Sequence, residues 1–209
     1  MIESDFIIYD DLPKFMKSID SFPRPYSIEI GCGSDYKEPH SKWIHSDAAI
    51  HNTHLETHHL EMMCYSWDIP LENNSVKEIF AKGFWEHLSY NEAGRTLKEW
   101  NRVLMPGGTS LFNFPPIDHA IRMWQAGLVE FIFMIRVFYG WQFQERDIHR
   151  SGWTKEWIEK FLGDFPEFSI EEIYWGDSRV DENGSPLRLD IDPYTNAGSH
   201  LWISMRKKS

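Results

Sequence analysis

The segment Ser27-Ile28-Glu29-Ile30-Gly31-Cys32-Gly33 constrains this chain more than any other. Its short apolar run reads as a strand, and the strand runs directly into two glycines one residue apart. Glycine has no Cβ, so a ligand can approach such a turn closely, and the turn's amides point at an anion. A second short strand, Trp43-Ile44-His45-Ser46-Asp47, ends in an acid. Residues 60–67 form a third apolar run, followed by Asp68-Ile69-Pro70, and residues 76–81 a fourth. Residues 89–104 are the clearest helix. Ser89 and Glu92 have capping-box spacing, Ala93, Leu97, Trp100 and Leu104 share one face, and Met105-Pro106-Gly107-Gly108 stops the run.

A fifth strand is expected over residues 109–114, and Thr154 caps a helix carrying Trp157, Ile158, Phe161 and Leu162. Residues 169–175 and 200–205 read as a closing pair of strands, with a turn at 181–184 between them. Residues 1–26 are a lead-in, with a short helix expected near 12–19. Strands alternating with helices give an α/β fold: a doubly wound sheet of about seven strands with helices on both faces. Ligands of such sheets sit beyond the carboxyl ends of the strands, where the strand order reverses. That directs attention to the glycine loop, Asp47, Asp68 and residues 83–87. Asp47 is placed to accept from two ribose hydroxyls, and Asp68 from an adenine amino group, with Trp67 or Ile69 against the ring. Each piece alone has an ordinary reading, a tight turn for the glycines and a solvated loop acid for each aspartate.

The ordered set resembles the class I S-adenosylmethionine-dependent methyltransferases of the type 11 group, and within them small enzymes associated with polysaccharide and cell-envelope gene sets. The stretches that carry the resemblance are 28–33, 43–47, Asp68-Ile69-Pro70-Leu71, Phe84-Trp85-Glu86-His87-Leu88 and 97–108, with a further echo in Tyr139-Gly140-Trp141-Gln142 and His149-Arg150-Ser151-Gly152-Trp153. The resemblance implies a Rossmann-like methyltransferase sheet and S-adenosylmethionine as cofactor. It implies that Glu29 anchors the loop and the methionine amino end. Gly31, Cys32 and Gly33 would line the cofactor, Asp47 hold the ribose, and Trp67 and Asp68 meet adenine. Phe84, Glu86 and His87 would pass beneath the methionine. The sequence departs from the family pattern at Ser34-Asp35-Tyr36, where a third glycine is usual, and at Gly83, where many relatives carry histidine.

Methyl transfer to oxygen also calls for a general base. The roof over the strand ends is the aromatic-rich stretch 117–152, read as a lid that supplies the acceptor site, and its histidines His149 and His119 are the catalytic candidates. Each also reads as a surface or capping histidine. The aromatics of this stretch serve equally as ordinary packing, an apolar pocket or a face for a second copy. His45, His51, His54, His58 and His59 crowd one segment, but it is polar all round and is read as a solvated loop, so no metal is expected.

Of the 209 residues, 32 are Asp or Glu and 21 Lys or Arg, a net charge of −11 that repels a phosphate backbone and argues against a nucleic-acid partner. The most apolar stretch, 127–141, is broken by Glu130 and Arg136, so no membrane span is expected. Two cysteines and an acidic N-terminus without a signal peptide fit a reducing, cytoplasmic setting. The expectation is one domain over 1–209 that methylates a small or carbohydrate-like acceptor at oxygen or nitrogen. The rivals are a non-catalytic scaffold that kept the cofactor site, and a nicotinamide-dependent oxidoreductase, which shares the strand, glycine loop and acid.

Overall fold

Nine strands form one sheet in the order β1-β4-β3-β2-β5-β6-β9-β7-β8. They are β1 (Phe15–Met16), β2 (Tyr26–Ile30), β3 (Trp43–Asp47), β4 (Met62–Met63), β5 (Val76–Ala81), β6 (Leu104–Phe114), β7 (Phe168–Val180), β8 (Pro186–Arg188) and β9 (Ser199–Lys207). The helices are α1 (Tyr90–Val103), α2 (Ile117–Gln125), α3 (Phe131–Tyr139) and α4 (Lys155–Leu162), with a 3-10 turn at Trp85–His87. The structure is a computed structural model, and it describes residues 15–16, 19–33, 42–48, 60–142, 147–180, 185–189 and 198–209.

Strands β4, β3, β2, β5 and β6 are parallel, and β9 enters antiparallel between β6 and β7. The chain steps outward from β2 through β3 to β4, then returns to the other side of β2 for β5 and β6. The order therefore reverses between β2 and β5, and a crevice opens where their carboxyl ends diverge. All five residues of β2 are buried, as a parallel strand covered on both faces requires.

Helix α1 starts on the expected capping box, with Ser89 and Glu92 satisfying each other's backbone amides. It buries Ala93, Thr96, Leu97, Trp100 and Val103. The Lys207 ammonium donates to the carbonyls of Asn101 (2.6 Å) and Leu104 (2.7 Å), closing the carboxyl end. The helix stops before residues 105–108 as expected, but the next strand starts five residues earlier than the expected Thr109. Strand β6 begins at Leu104, and its register against β5 jumps from Val76↔Leu104 to Glu78↔Thr109, so the Pro-Gly-Gly segment arches out of the pair. Beneath the strand ends, Trp85 packs on Phe112 (4.4 Å between centroids), Trp100 (5.8 Å) and Trp153 (6.2 Å), all four fully buried.

Three sequence expectations change. The sheet has nine strands rather than about seven, because β1 and β8 add two- and three-residue edges too short to show alternation. Phe15–Met16 pair antiparallel with Met63 and Met62 instead of lying in a helix. The apolar run 60–67 contributes only Met62–Met63 as strand, and the rest turns, with the Asp68 amide donating to Tyr65 O. The neighbouring positions 12–14 and 17–18, the segment 34–36, the histidines from His51 to His59 and the turn 181–184 lie outside the described residues. Among the described residues, no helix is long and apolar enough to cross a membrane.

Candidate active site

At the end of β2 the chain turns through Gly31 (φ +66°) and Gly33 (φ +56°). A Cβ on Gly31 would stand 2.5 Å from the Phe84 ring, so the backbone lies flat on that side chain. A Cβ on Gly33 would meet nothing within 4 Å, so only its backbone conformation demands glycine. Asp47, at the tip of β3, accepts from the Gly33 amide at 2.9 Å, and the Cys32 amide donates to Ser46 O. The loop is thus fastened to the end of the adjacent strand.

Two residues assigned to the loop stand behind it. Glu29 is buried within β2, opposite His45 in the strand register, and its carboxylate lies 2.8 Å from His45 Nδ1. The Cys32 side chain is buried against Leu60 and Met63. Burial, reinforced by Asp47, Glu29 and Glu61, pushes its thiol far above the usual range, so it is a packing group and not a nucleophile.

On the β4 side the wall is Tyr65, Ser66 and Trp67. Tyr65 and Trp67 stack in parallel at 4.6 Å, and the Arg95 guanidinium lies 5.1 Å from the Trp67 ring centre. The Ser66 hydroxyl meets Thr96 Oγ1 at 2.7 Å. Asp68 belongs to the turn just past this wall and does not line the cleft. Ile69 is buried, its amide donating to Glu99, so the aromatic surface facing the cleft is Trp67.

The third wall is Gly83, Phe84, His87 and Leu88, with Asp147, Ile148 and Arg150 closing over it. Arg150 donates to Glu92 at 2.7 Å, and the Arg150 and Ser151 amides both donate to Glu86 O. The Glu86 side chain is buried behind this wall, where desolvation pushes its pKa up to about 8. His87 Nδ1 donates to Ile148 O (3.3 Å), and His149 Nδ1 to Val137 O (2.7 Å). Their rings meet edge to face at 4.8 Å. Burial, with His149 adding, holds His87 down to about 4, and burial also lowers His149. His149 therefore stands one ring behind the cleft, in contact with the lining His87. His119 is buried in α2 against Trp175 and is not brought to the cleft.

The resulting cleft encloses about 240 Å³. It gathers Gly31, Gly33, Asp47, Trp67, Phe84 and His87 from the sequence-based set, and leaves Glu29, Cys32, Asp68, Glu86, His149 and His119 outside its lining. Sequence reading missed Tyr65, Ser66, Glu92, Asp147 and Arg150. Arg150 sat in a matching stretch and Glu92 was credited only with capping. Nothing in the sequence marked Asp147.

The residues fit S-adenosylmethionine. Open space lies over Gly33, a carboxylate stands beside it, and a flat indole forms the far wall. Residues 28–112 match a protein family described as a methyltransferase domain. No curated protein sequence matches the chain. Similar solved structures include a SAM-dependent methyltransferase from Methanosarcina mazei, with 13% identity, a TM-score of 0.55 and coverage of 88% of this chain and 92% of that one. A possible histamine N-methyltransferase from Thermotoga maritima has 15% identity, a TM-score of 0.54 and coverage of 88% and 82%. The 1,6-didemethyltoxoflavin N1-methyltransferase of Burkholderia thailandensis, solved with S-adenosylhomocysteine, has 10% identity, a TM-score of 0.51 and coverage of 90% and 72%. An all-parallel dinucleotide-binding sheet would continue parallel beyond β6, whereas β9 here is antiparallel. The chain has a Rossmann-like methyltransferase fold, residues 28–112 match a methyltransferase domain, and S-adenosylmethionine is the cofactor that this match indicates.

Proposed function

We propose that this chain transfers the methyl group of S-adenosylmethionine to a small, polar acceptor, carbohydrate-like in character, at oxygen or nitrogen. The observation that carries the reading is the continuity of the cleft, which runs from the glycine loop and Asp47 to a mixed roof of Asp147, Ile148 and Arg150. A charged pair beside an apolar residue suits a small acceptor that needs a few orienting contacts. The resemblance to polysaccharide-associated enzymes supports the carbohydrate-like class. The small-molecule N-methylation named for the Burkholderia enzyme keeps nitrogen in play.

S-adenosylmethionine supplies an electrophilic methyl group on a sulfonium. The chain's part is positioning: the loop amides and Asp47 hold the polar ends, and Trp67 and Phe84 offer flat faces. The roof excludes water and brings the acceptor to near-attack distance. Of the two catalytic candidates only His149 is next to the cleft, through its contact with the lining His87, so it is the one proposed as base for the acceptor's proton.

The test is incubation of purified protein with methyl-labelled S-adenosylmethionine and a small-molecule cell extract. Label is expected in a low-mass product that forms only with the protein present. Cofactor binding with no transfer to any fraction would support the rival scaffold reading, and label confined to macromolecules would overturn the acceptor class.

A further inference from the structure

We infer that Glu86, His87 and His149 form a binding site for a divalent transition-metal cation at the roof of the cleft. One ligand-capable atom of each lies within 4.8 Å of the others. Two imidazoles and a carboxylate are the donor set that zinc, manganese, iron and cobalt favour.

Two independent observations point at a ligand. Glu86 is 5% exposed, and its Oε2 is buried without a hydrogen-bond partner, an expensive arrangement for a carboxylate with nothing to bind. Both histidines are held from behind: each Nδ1 donates to a backbone carbonyl, Ile148 O for His87 and Val137 O for His149. That contact fixes the tautomer and leaves each Nε2 lone pair available, the same outer support that metal-bound histidines receive. Metal bonds of about 2.0–2.2 Å need the three atoms closer than the 4.8 Å at which they stand, so the side chains draw together on binding.

The three ligands come from the 3-10 turn after β5 and from the roof segment, so the cation would tie the cofactor floor to the roof. His87 also lines the cleft, which gives an acceptor a way to the remaining coordination positions. This last step rests on the proposed methyl transfer. It narrows the acceptor to one bearing a hydroxyl, with His149 serving as ligand in place of free base.

The experiment is a titration of metal-stripped full-length protein with Co²⁺, followed by visible absorption, with S-adenosylmethionine binding measured separately by calorimetry on the same samples. One Co²⁺ per chain with ligand-field bands is expected. The bands should weaken at least about tenfold in affinity in Glu86→Gln and in His149→Gln, and persist when His51, His54 and His58 are all replaced by alanine. Absence of bands in the wild-type protein, which needs no variant to fold, overturns the site. So does their loss in the triple alanine variant alone. Cofactor binding that fails while Co²⁺ binds would sink the proposed function and leave the metal site standing.

Discussion

Every residue of β2 is buried, whereas α3, with eight apolar residues out of nine, buries none. Strand β2 ends in the cleft floor, whereas α3 belongs to the stretch before Asp147, Ile148 and Arg150, and no residue of α3 lines the cleft. The floor is held by a parallel ladder, a buried tryptophan cluster and a loop fastened by Asp47. The roof rests on α2–α3 packing, the isolated bridge Gly140↔Ile148 and polar contacts such as Arg150 to Glu92, with Leu128, Phe131, Tyr139 and Trp141 each more than half exposed. A floor that must present fixed amides is rigid by construction. The stretch around α3 has few buried apolar contacts, the property of segments that open at low cost and, on the proposed function, of a roof that admits an acceptor.

The largest effect should come from breaking the floor's support. Trp85→Ala removes a fully buried side chain that touches Trp100, Phe112 and Trp153. It should cost about 3–5 kcal/mol, read by denaturant unfolding. An intact Tm would mean that the cluster does not carry the floor.

Asp47→Ala comes next. It removes the acceptor of the Gly33 amide and, on the proposed reading, the ribose contact. Affinity for S-adenosylmethionine should fall by about ten- to a hundredfold, or roughly 1.5–3 kcal/mol, with the fold unchanged by circular dichroism. Wild-type affinity would reduce Asp47 to a loop acid.

A smaller effect separates the regions by pH. Desolvation holds the half-buried His200, on β9, down to about 4 against an ordinary 6.5. The unfolded chain takes up this proton as pH falls below 6.5 and the folded chain does not. Stability is therefore present above that pH and is lost on acidification toward 4, by about 1–3 kcal/mol. His200→Gln should flatten that part of the stability profile, measured by urea titrations at stepped pH, and an unchanged slope would assign the acid loss elsewhere.

Sequence legibility follows the same division. The bounds of β3, β5 and α1 were readable because strands covered on both faces are short runs closed off by loop residues, and a buried helix face repeats every 3.6 residues. So were Gly31, Gly33 and Asp47, which sit where strands end. Glu29 was not, because it lies inside a strand, and its pairing with His45 depends on a register that no local pattern reveals. Of Asp68 and the alternatives Trp67 and Ile69, only Trp67 lines the cleft, beside Tyr65 and Ser66, because a turn carries Asp68 and Ile69 past the wall in a way that periodicity cannot see. On the roof, the aromatic composition was plain but its burial was not: apolar residues predict packing, and α3 withholds it.

The smallest effect should come from that helix. Phe131→Ser, at a position 54% exposed, should change stability by no more than about 0.5 kcal/mol, while a comparable loss to that of Trp85→Ala would show α3 to be a structural element.

The central claim, that the turn after β2 is a cofactor cradle, is tested most directly by calorimetry with S-adenosylmethionine and S-adenosylhomocysteine. The account predicts one site per chain with micromolar affinity. Gly31→Ala should weaken binding more than Gly33→Ala, because the first adds a clash with Phe84 to the roughly 1–2 kcal/mol of left-handed strain that both incur. Folded wild-type protein that gives neither heat nor a thermal shift with either ligand would contradict it.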